Sequence, residues 1–395
     1  MSYAFYAFLG TLAYVSYLYF SGETFAPFFD DSYYYRNITT IWSGNISSDI
    51  NYTAFEFFMA FVSLPFSWFG TIEHYELLPI NWMLGAMFVT EAVKFSWKVM
   101  PSRGKDTRMI GMLLVLCNYA CIDSCIHLYR DAFLGLFYVL ALNYIYENKK
   151  IKGLVCSIVV LFVRGANGFI LFAYLLGKKI QELYHLNRKQ ILYGALFVFV
   201  VGLYFMDSIN YQKLGRFTST GDAGYTISER IENFKESDGG GQVIKMLRSN
   251  NIIFQMLAIP AYMISPIQVK EIMTISEYNT IYDRGRVVLR LRIESLEELI
   301  HILVYVVFFI PILYGAWLWF NDSSPDSFIL CLLFLATLVA VTFISMQVRH
   351  KLAFILYTPI LYNYYINNTS QGAKKIVNAL SIGLGIIIFV YNFVM

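Results

Sequence analysis

The sequence predicts an all-α, polytopic integral membrane protein, and three observations carry that reading. Hydrophobic residues make up 57% of the 395 positions and charged residues only 14%, whereas a soluble domain carries about 25% charged residues. Apolar runs of roughly 18–20 residues recur, the length that crosses a ~30 Å hydrocarbon core. Cationic clusters alternate with those runs in the way that orients membrane helices. Together these exclude an ordinary soluble enzyme, a disordered chain and a coiled coil. A net charge of +3 gives no reason to expect nucleic acid as a partner.

In order, the apolar segments are 3–20, 53–70, 78–95, 109–126, 131–147, 153–163, 167–177, 190–206, 299–320, 327–346, 352–366 and 377–394. The first lacks a basic flank and a small-residue cleavage site and reads as a retained span. Segment 53–70 is short and holds Glu56 and Pro65, so it reads as a juxtamembrane helix on the outer side. That gives eleven crossings, or twelve if 53–70 crosses. Segments 153–163 and 167–177 rise only ~15–18 Å each and are separated by Arg164-Gly-Ala-Asn-Gly168. Basic clusters on both sides make them a hairpin of short helices with an arginine near its tip, where irregular backbone must line a cavity or be buried in protein.

The basic clusters are Lys94, Lys98, Arg103, Lys105 and Arg108; Lys149, Lys150 and Lys152; Lys178, Lys179, Arg188 and Lys189; and Lys374 and Lys375. All four face the cytoplasm at once if the chain crosses regularly from residue 78. The whole chain, 1–395, is then a single membrane domain. Its outer side holds a first loop, 21–77, and a large loop, 207–298, whose apolar stretch 252–267 is broken by Pro260 and Pro266 and reads as a lid-like segment. Eleven of the sixteen lysines lie inside, whereas eleven of the fourteen arginines lie outside. Arginine's planar fork binds phosphate oxygens bidentately. An outer arginine set therefore points to a phosphorylated lipid ligand.

Several clusters stand out on the outer side. Asp30 and Asp31 lie in Phe-Phe-Asp-Asp-Ser-Tyr-Tyr-Tyr-Arg. His127-Leu-Tyr-Arg130-Asp131 opens a span. Arg284, Arg286 and Arg290 sit in a dense run, and Arg349 and His350 lie in Gln-Val-Arg-His-Lys. Ionisable residues at span ends are costly towards lipid and usually face an interior cavity. Local alternatives stand beside this. Asp131 can pair with a neighbouring arginine or favour a helix N-terminus, and either histidine can be an interfacial polar residue. Cys117, Cys121 and Cys125 share a helical face and read as a packing stripe. The Asn-x-Ser/Thr sequons at Asn37, Asn45 and Asn51 read as chance matches in asparagine-rich loops. Walker, Rossmann and His-Glu-x-x-His patterns are missing, so the energy for any reaction must reside in the substrate.

The Asp-Asp-Ser-Tyr-Tyr-Tyr loop, the His-Leu-Tyr-Arg-Asp motif, the Arg-Gly-Ala-Asn hairpin and the late Arg-His-Lys-Leu-Ala-Phe-Ile-Leu motif together resemble bacterial oligosaccharide repeat-unit polymerases. These are the O-antigen and capsule (Wzy) polymerases and the related EpsG-like proteins. The resemblance implies a C-type glycosyltransferase-like membrane core in the cytoplasmic (inner) membrane, with its site facing the periplasm, so the outer loops become periplasmic. It implies transfer of a growing glycan from one undecaprenyl-diphosphate carrier to a sugar hydroxyl of the next lipid-linked repeat unit. Membrane lipid and a chain-length regulator would be partners. Arg130, Arg164 and Arg349 become diphosphate contacts, with Arg284, Arg286, Arg290 and His350 beside them. Asp30, Asp31, His127 and Asp131 become candidates for orienting or deprotonating the acceptor. EpsG-like proteins often carry a histidine near the hairpin tip, where this chain has Arg164, so the base stays open. No cofactor and a metal-free site are expected, since fixed arginines stabilise a departing diphosphate. Two rivals remain: a transferase using a polyprenyl-monophosphate sugar, which a metal at Asp30 or Asp31 would favour, and a lipid-linked oligosaccharide flippase, which would favour internal pseudo-symmetry.

Overall fold

A computed structural model describes residues 1–21, 29–46, 52–101, 104–208, 284–322, 324–344 and 352–394. Among them the chain is all-helical, with fifteen helices. In order these are α1 (Ser2–Ser21), α2 (Phe29–Trp42), α3 (Ala54–Ser67), α4 (His74–Val99), α5 (Lys105–Leu116), α6 (Tyr119–Ile126), α7 (Arg130–Tyr146) and α8 (Lys150–Val163). They continue as α9 (Gly165–Tyr184), α10 (Arg188–Ser208), α11 (Arg284–Phe320), α12 (Pro325–Ile344), α13 (Leu352–Ile355), α14 (Thr358–Asn368) and α15 (Gln371–Val394).

Local chemistry sets several of the boundaries. Thr53 and Glu56 form a capping box that starts α3, each satisfying a backbone N–H that the first turn leaves open. Glu73 and Glu76 do the same for α4. Arg164 is one extended residue, φ −153° and ψ 105°, that closes α8 and opens α9. The hairpin there needs a close crossing: a Cβ on Gly168 would lie 2.6 Å from the Leu161 Cα.

Three expectations are corrected. Segment 109–126 is not one straight helix, because α5 and α6 meet at 63°. Asn118 caps the new start, its side chain accepting the Ala120 N–H at 3.0 Å. The carbonyls exposed by the bend are met from elsewhere: Tyr305 Oη donates to Leu114 O at 2.6 Å and Tyr6 Oη to Leu116 O at 3.3 Å. Segment 352–366 is likewise split, into α13 and α14, with Pro359 in the first turn of the second piece. The second arm of the hairpin is not short. It runs 20 residues to Tyr184 and takes in Lys178 and Lys179.

The central packing joins α7 to α4 and α8, α8 to α9, and α11 to α14 and α15. The bends and glycines let these helices approach closely; a Cβ on Gly315 would collide with the Leu361 carbonyl. Among the described residues one helical stretch, Leu299–Phe320, is long and apolar enough to cross a membrane unaided, and the bent α5–α6 pair qualifies only as a single span. Ser2–Val15, Ala54–Ser67 and Pro325–Leu338 are shorter apolar helices. This is a coarser result than eleven crossings.

The helix ends sort into two groups. At one end Lys98 Nζ reaches Asn143 Oδ1 at 2.8 Å and the Glu147 carboxylate, Lys150 pairs with Glu182 at 2.7 Å, and Lys178 donates to the Ile145 and Tyr146 carbonyls. Arg188 donates to Phe320 O, and the Asn363 and Asn367 amides donate to Met100 O and Pro101 O. Thus the ends of α4, α7, α9, α11 and α14 meet the starts of α8 and α10. At the opposite end of α4, α7, α8 and α9 lie His74, Arg130, Arg164 and their neighbours. For α7, 17 residues long, the two ends are separated by roughly 25 Å.

Candidate functional site

The turn between α6 and α7 is held from two sides. From α4, Asn81 Nδ2 donates to Ser124 O at 3.0 Å and to His127 O, while Trp82 Nε1 reaches Ile126 O at 3.4 Å. These bonds take up carbonyls that end α6 without helical partners. From α2, Asp31 Oδ1 accepts the Leu128 N–H at 2.6 Å. The His127 ring therefore projects from backbone fixed by groups 46 and 97 residues away in sequence.

Around that turn ionisable side chains are buried. Asp31 Oδ2 lies 3.4 Å from His127 Nδ1 and 3.8 Å from His74 Nε2. His127 Nε2 lies 3.9 Å from Asp123 Oδ1. One turn further along, Asp131 Oδ1 accepts from an Arg164 Nη at 2.8 Å. Asp31 is 0%, Asp131 1%, His74 2%, His127 4% and Arg164 8% exposed. His74 precedes the apolar stretch of α4. Burial pushes its imidazole below the ordinary histidine range; Asp31 opposes this, and His127 adds to it.

The sequence-derived candidates separate accordingly. Asp31, His127, Asp131 and Arg164 come together. Arg130 begins α7 beside them and is partly exposed. Asp131, for which a neighbouring arginine was one alternative, binds Arg164 from the hairpin, which joins the α7 start to the α8–α9 break. Asp30 lies in α2, and Arg284, Arg286 and Arg290 lie in the first turns of α11, inside the stretch read as outer loop. Arg349, His350 and the segment 252–267 lie outside the described residues.

Four further residues were not anticipated. His74 and Asp123 complete the surroundings of Asp31 and His127. Glu297 and His301, one turn apart in α11, are 2% and 1% exposed. His301 Nδ1 accepts the Tyr119 N–H at 3.2 Å at the start of α6, and its ring stacks on Tyr305 at 4.2 Å. The available signal was the scarcity of histidine, of which the chain has five. The cysteine stripe is a packing feature: Cys117 sits at the bend, Cys121 and Cys125 follow in α6, and all five cysteines are buried thiols. The sequon at Asn37 is fully buried, its amide donating to Glu56 Oε1 at 3.3 Å.

Chemically, the cluster offers a carboxylate between two imidazoles and, beside it, a guanidinium already held by a carboxylate. The first suits proton transfer at neutral pH. The second suits an anion, since a guanidinium is a permanently charged, planar fork of five N–H donors. Among the described residues no group of three or more His, Cys, Asp or Glu side chains is arranged to hold a metal ion. Comparison with protein-family models, with curated proteins and with solved structures found no match.

Proposed function

We propose that the chain is a polytopic glycan polymerase. On this reading it joins polyprenyl-diphosphate-linked oligosaccharide repeat units at the outer face of a bacterial cytoplasmic membrane, with eleven crossings and α3 lying along the outer interface. The observation that carries the proposal is the gathering of Asp31, His74, His127, Asp131 and Arg164 at the end of the bundle opposite the lysines. Five buried ionisable residues from α2, α4, the α6–α7 turn, the start of α7 and the α8–α9 hairpin are expensive to keep in an apolar protein. A polar substrate with an anionic leaving group gives them work.

The membrane reading is supported by side chains as well as by hydropathy. Phe8, Phe61, Ile151, Phe197, Trp317 and Ile387 are each more than 60% exposed, and a water-facing surface rarely shows so many large apolar groups. α3 buries Phe55, Met59 and Ala60 on one face and turns Phe57 and Phe61 outward, and Trp68 and Phe69 just beyond it are also exposed. An exposed apolar face beside a packed one suits contact with lipid.

In the reaction, charge develops on the diphosphate oxygens as the glycosyl bond breaks. Arg130 and Arg164, with Arg349 and the arginines of α11, would stabilise that charge. A deletion strain tests the proposal. The surface-glycan ladder should disappear while single repeat units remain; an unchanged ladder would end this reading. Cysteines placed at positions 105 and 149 should label only from the cytoplasm, and one at 240 only from outside.

A further inference from the structure

We infer that His127 is the base that takes the acceptor hydroxyl's proton, and that Asp31 is the positioning residue that sets its tautomer. The inference rests on the glycosyl-transfer reading above and assigns roles within it.

The geometry distinguishes the two ring nitrogens. Nδ1 faces Asp31 Oδ2 at 3.4 Å, and Nε2 faces away, towards Asp123 Oδ1 at 3.9 Å. Of the two carboxylates Asp31 is the nearer and the more buried, which favours the proton on Nδ1 and makes Nε2 the basic nitrogen. Asp31 cannot swing away cheaply, because its other oxygen is held by the Leu128 N–H at 2.6 Å. The 3.4 Å approach is long, as contacts of catalytic bases often are before substrate binds. Asp123, near Nε2, is 18% exposed against 5% for the His127 side chain. A hydroxyl arriving there meets the lone pair with a carboxylate alongside for a second sugar hydroxyl.

The surroundings are mixed in charge. Asp31 faces His127 from α2, and His74 from α4 approaches the same Asp31 oxygen at 3.8 Å. Asp123 comes from α6, the Tyr129 ring lies 5.2 Å away, and Arg130 follows at the start of α7. From α1, Tyr6 meets α6 at Cys121, and from α11, His301 meets its far end at Tyr119.

The step balances without a co-reactant. The acceptor O–H proton moves to Nε2, and the oxygen's electron pair forms the new bond to the anomeric carbon. The bond from that carbon to the diphosphate breaks, its electron pair leaving on the lipid diphosphate. The imidazolium then returns its proton to water or to the diphosphate, and the Nδ1–H stays with Asp31 throughout.

The test uses full-length protein added to membranes of the deletion strain, whose accumulated lipid-linked repeat unit is the probe, with the rate of ladder formation followed against pH. His127→Gln should lower that rate roughly 10²–10⁴-fold per folded molecule. Asp31→Asn keeps an acceptor for Leu128 but turns an amide N–H towards Nδ1. It should lower the rate and move the acid limb of the pH profile to lower pH. A His127→Gln rate above half of wild type, or an acid limb unmoved by Asp31→Asn, overturns the inference. If either variant fails to fold, a wild-type profile lacking an acid limb overturns it as well. A deletion strain that keeps its ladder removes the polymerase reading itself, whereas a lost ladder with active variants removes only this assignment.

Discussion

The two ends of the bundle use charge in opposite ways. At the lysine end, ion pairs are wet: Lys94, Lys98, Lys149 and Lys150 keep 39–54% of their side-chain surface exposed in pairs with Glu91, Glu147 and Glu182. At the other end, Asp131 and Arg164 pair with side chains 1% and 10% exposed, and Asp31 sits between two imidazoles at 1%. Exposed pairs contribute little and are screened by salt. Buried ones carry a large desolvation penalty and become severely destabilising if one partner is lost. Charge at the lysine end is solvated, and charge at the opposite end is buried.

Removing Arg164 should separate the two ends most sharply. Arg164→Ala leaves Asp131 buried without its guanidinium and should cost about 3–5 kcal/mol of stability, read as thermal unfolding in detergent. Arg164→Ala with Asp131→Ala should recover much of that loss yet remain inactive. Full activity in the double variant would make the pair purely structural. Arg130 is partly exposed, so Arg130→Ala should leave folding intact. It should cost about 2–4 kcal/mol of transition-state stabilisation, roughly 30- to 1000-fold in polymerisation rate. Arg130→Lys should restore only part of it, because the fork is lost.

A smaller effect is expected where the two ends are joined. Tyr305→Phe removes the donor to Leu114 O and should cost about 1–2 kcal/mol, with lowered activity if the bend sets the His127 turn. At the lysine end, Lys98→Ala should leave thermal unfolding unchanged. Lys149, then Lys98, hold the Glu147 carboxyl below the ordinary glutamate range. A depressed carboxyl contributes stability above its unfolded pKa and loses it as pH falls through the folded one. Here that window lies at and below the ordinary glutamate range, and solvent screening makes the contribution small. Wild type and Lys98→Ala should therefore unfold alike from pH 7 down to pH 5. A clear divergence in that range would blur the contrast between the ends.

Much of the helical layout follows from hydropathy alone. The expected segments 3–20, 131–147 and 190–206 lie within or close to α1, α7 and α10, and 53–70 within three residues of α3. The bend at Cys117–Asn118 is different. Its freed carbonyls are satisfied by Tyr6 and Tyr305, 110 and 191 residues away, so locally only the capping Asn118 marks it. The site shows the same limit. His127, Arg130 and Asp131 stand out because charge at a span end is costly wherever it occurs. The pairings Asp31–Leu128 and Asp131–Arg164 are tertiary and leave no periodic trace. His74 escaped notice because it opens a helix among Glu73 and Glu76, where a polar residue needs no explanation.

The bend between α5 and α6 also sets a schedule. An eight-residue helix has little stability of its own, and the Leu114 carbonyl acquires its phenol only when Tyr305 exists. At roughly 5–20 residues per second of synthesis, the 191 residues between them take roughly 10–40 s. For that interval the nascent chain holds an incomplete α5–α6 elbow beside α1, although Asp31, Asn81 and Trp82, which hold the His127 turn, are already made. The elbow is thus completed late, after α4, α7, α8 and α9 have been made, and a chain truncated before α11 should be recognisable to quality control by that unfinished bend.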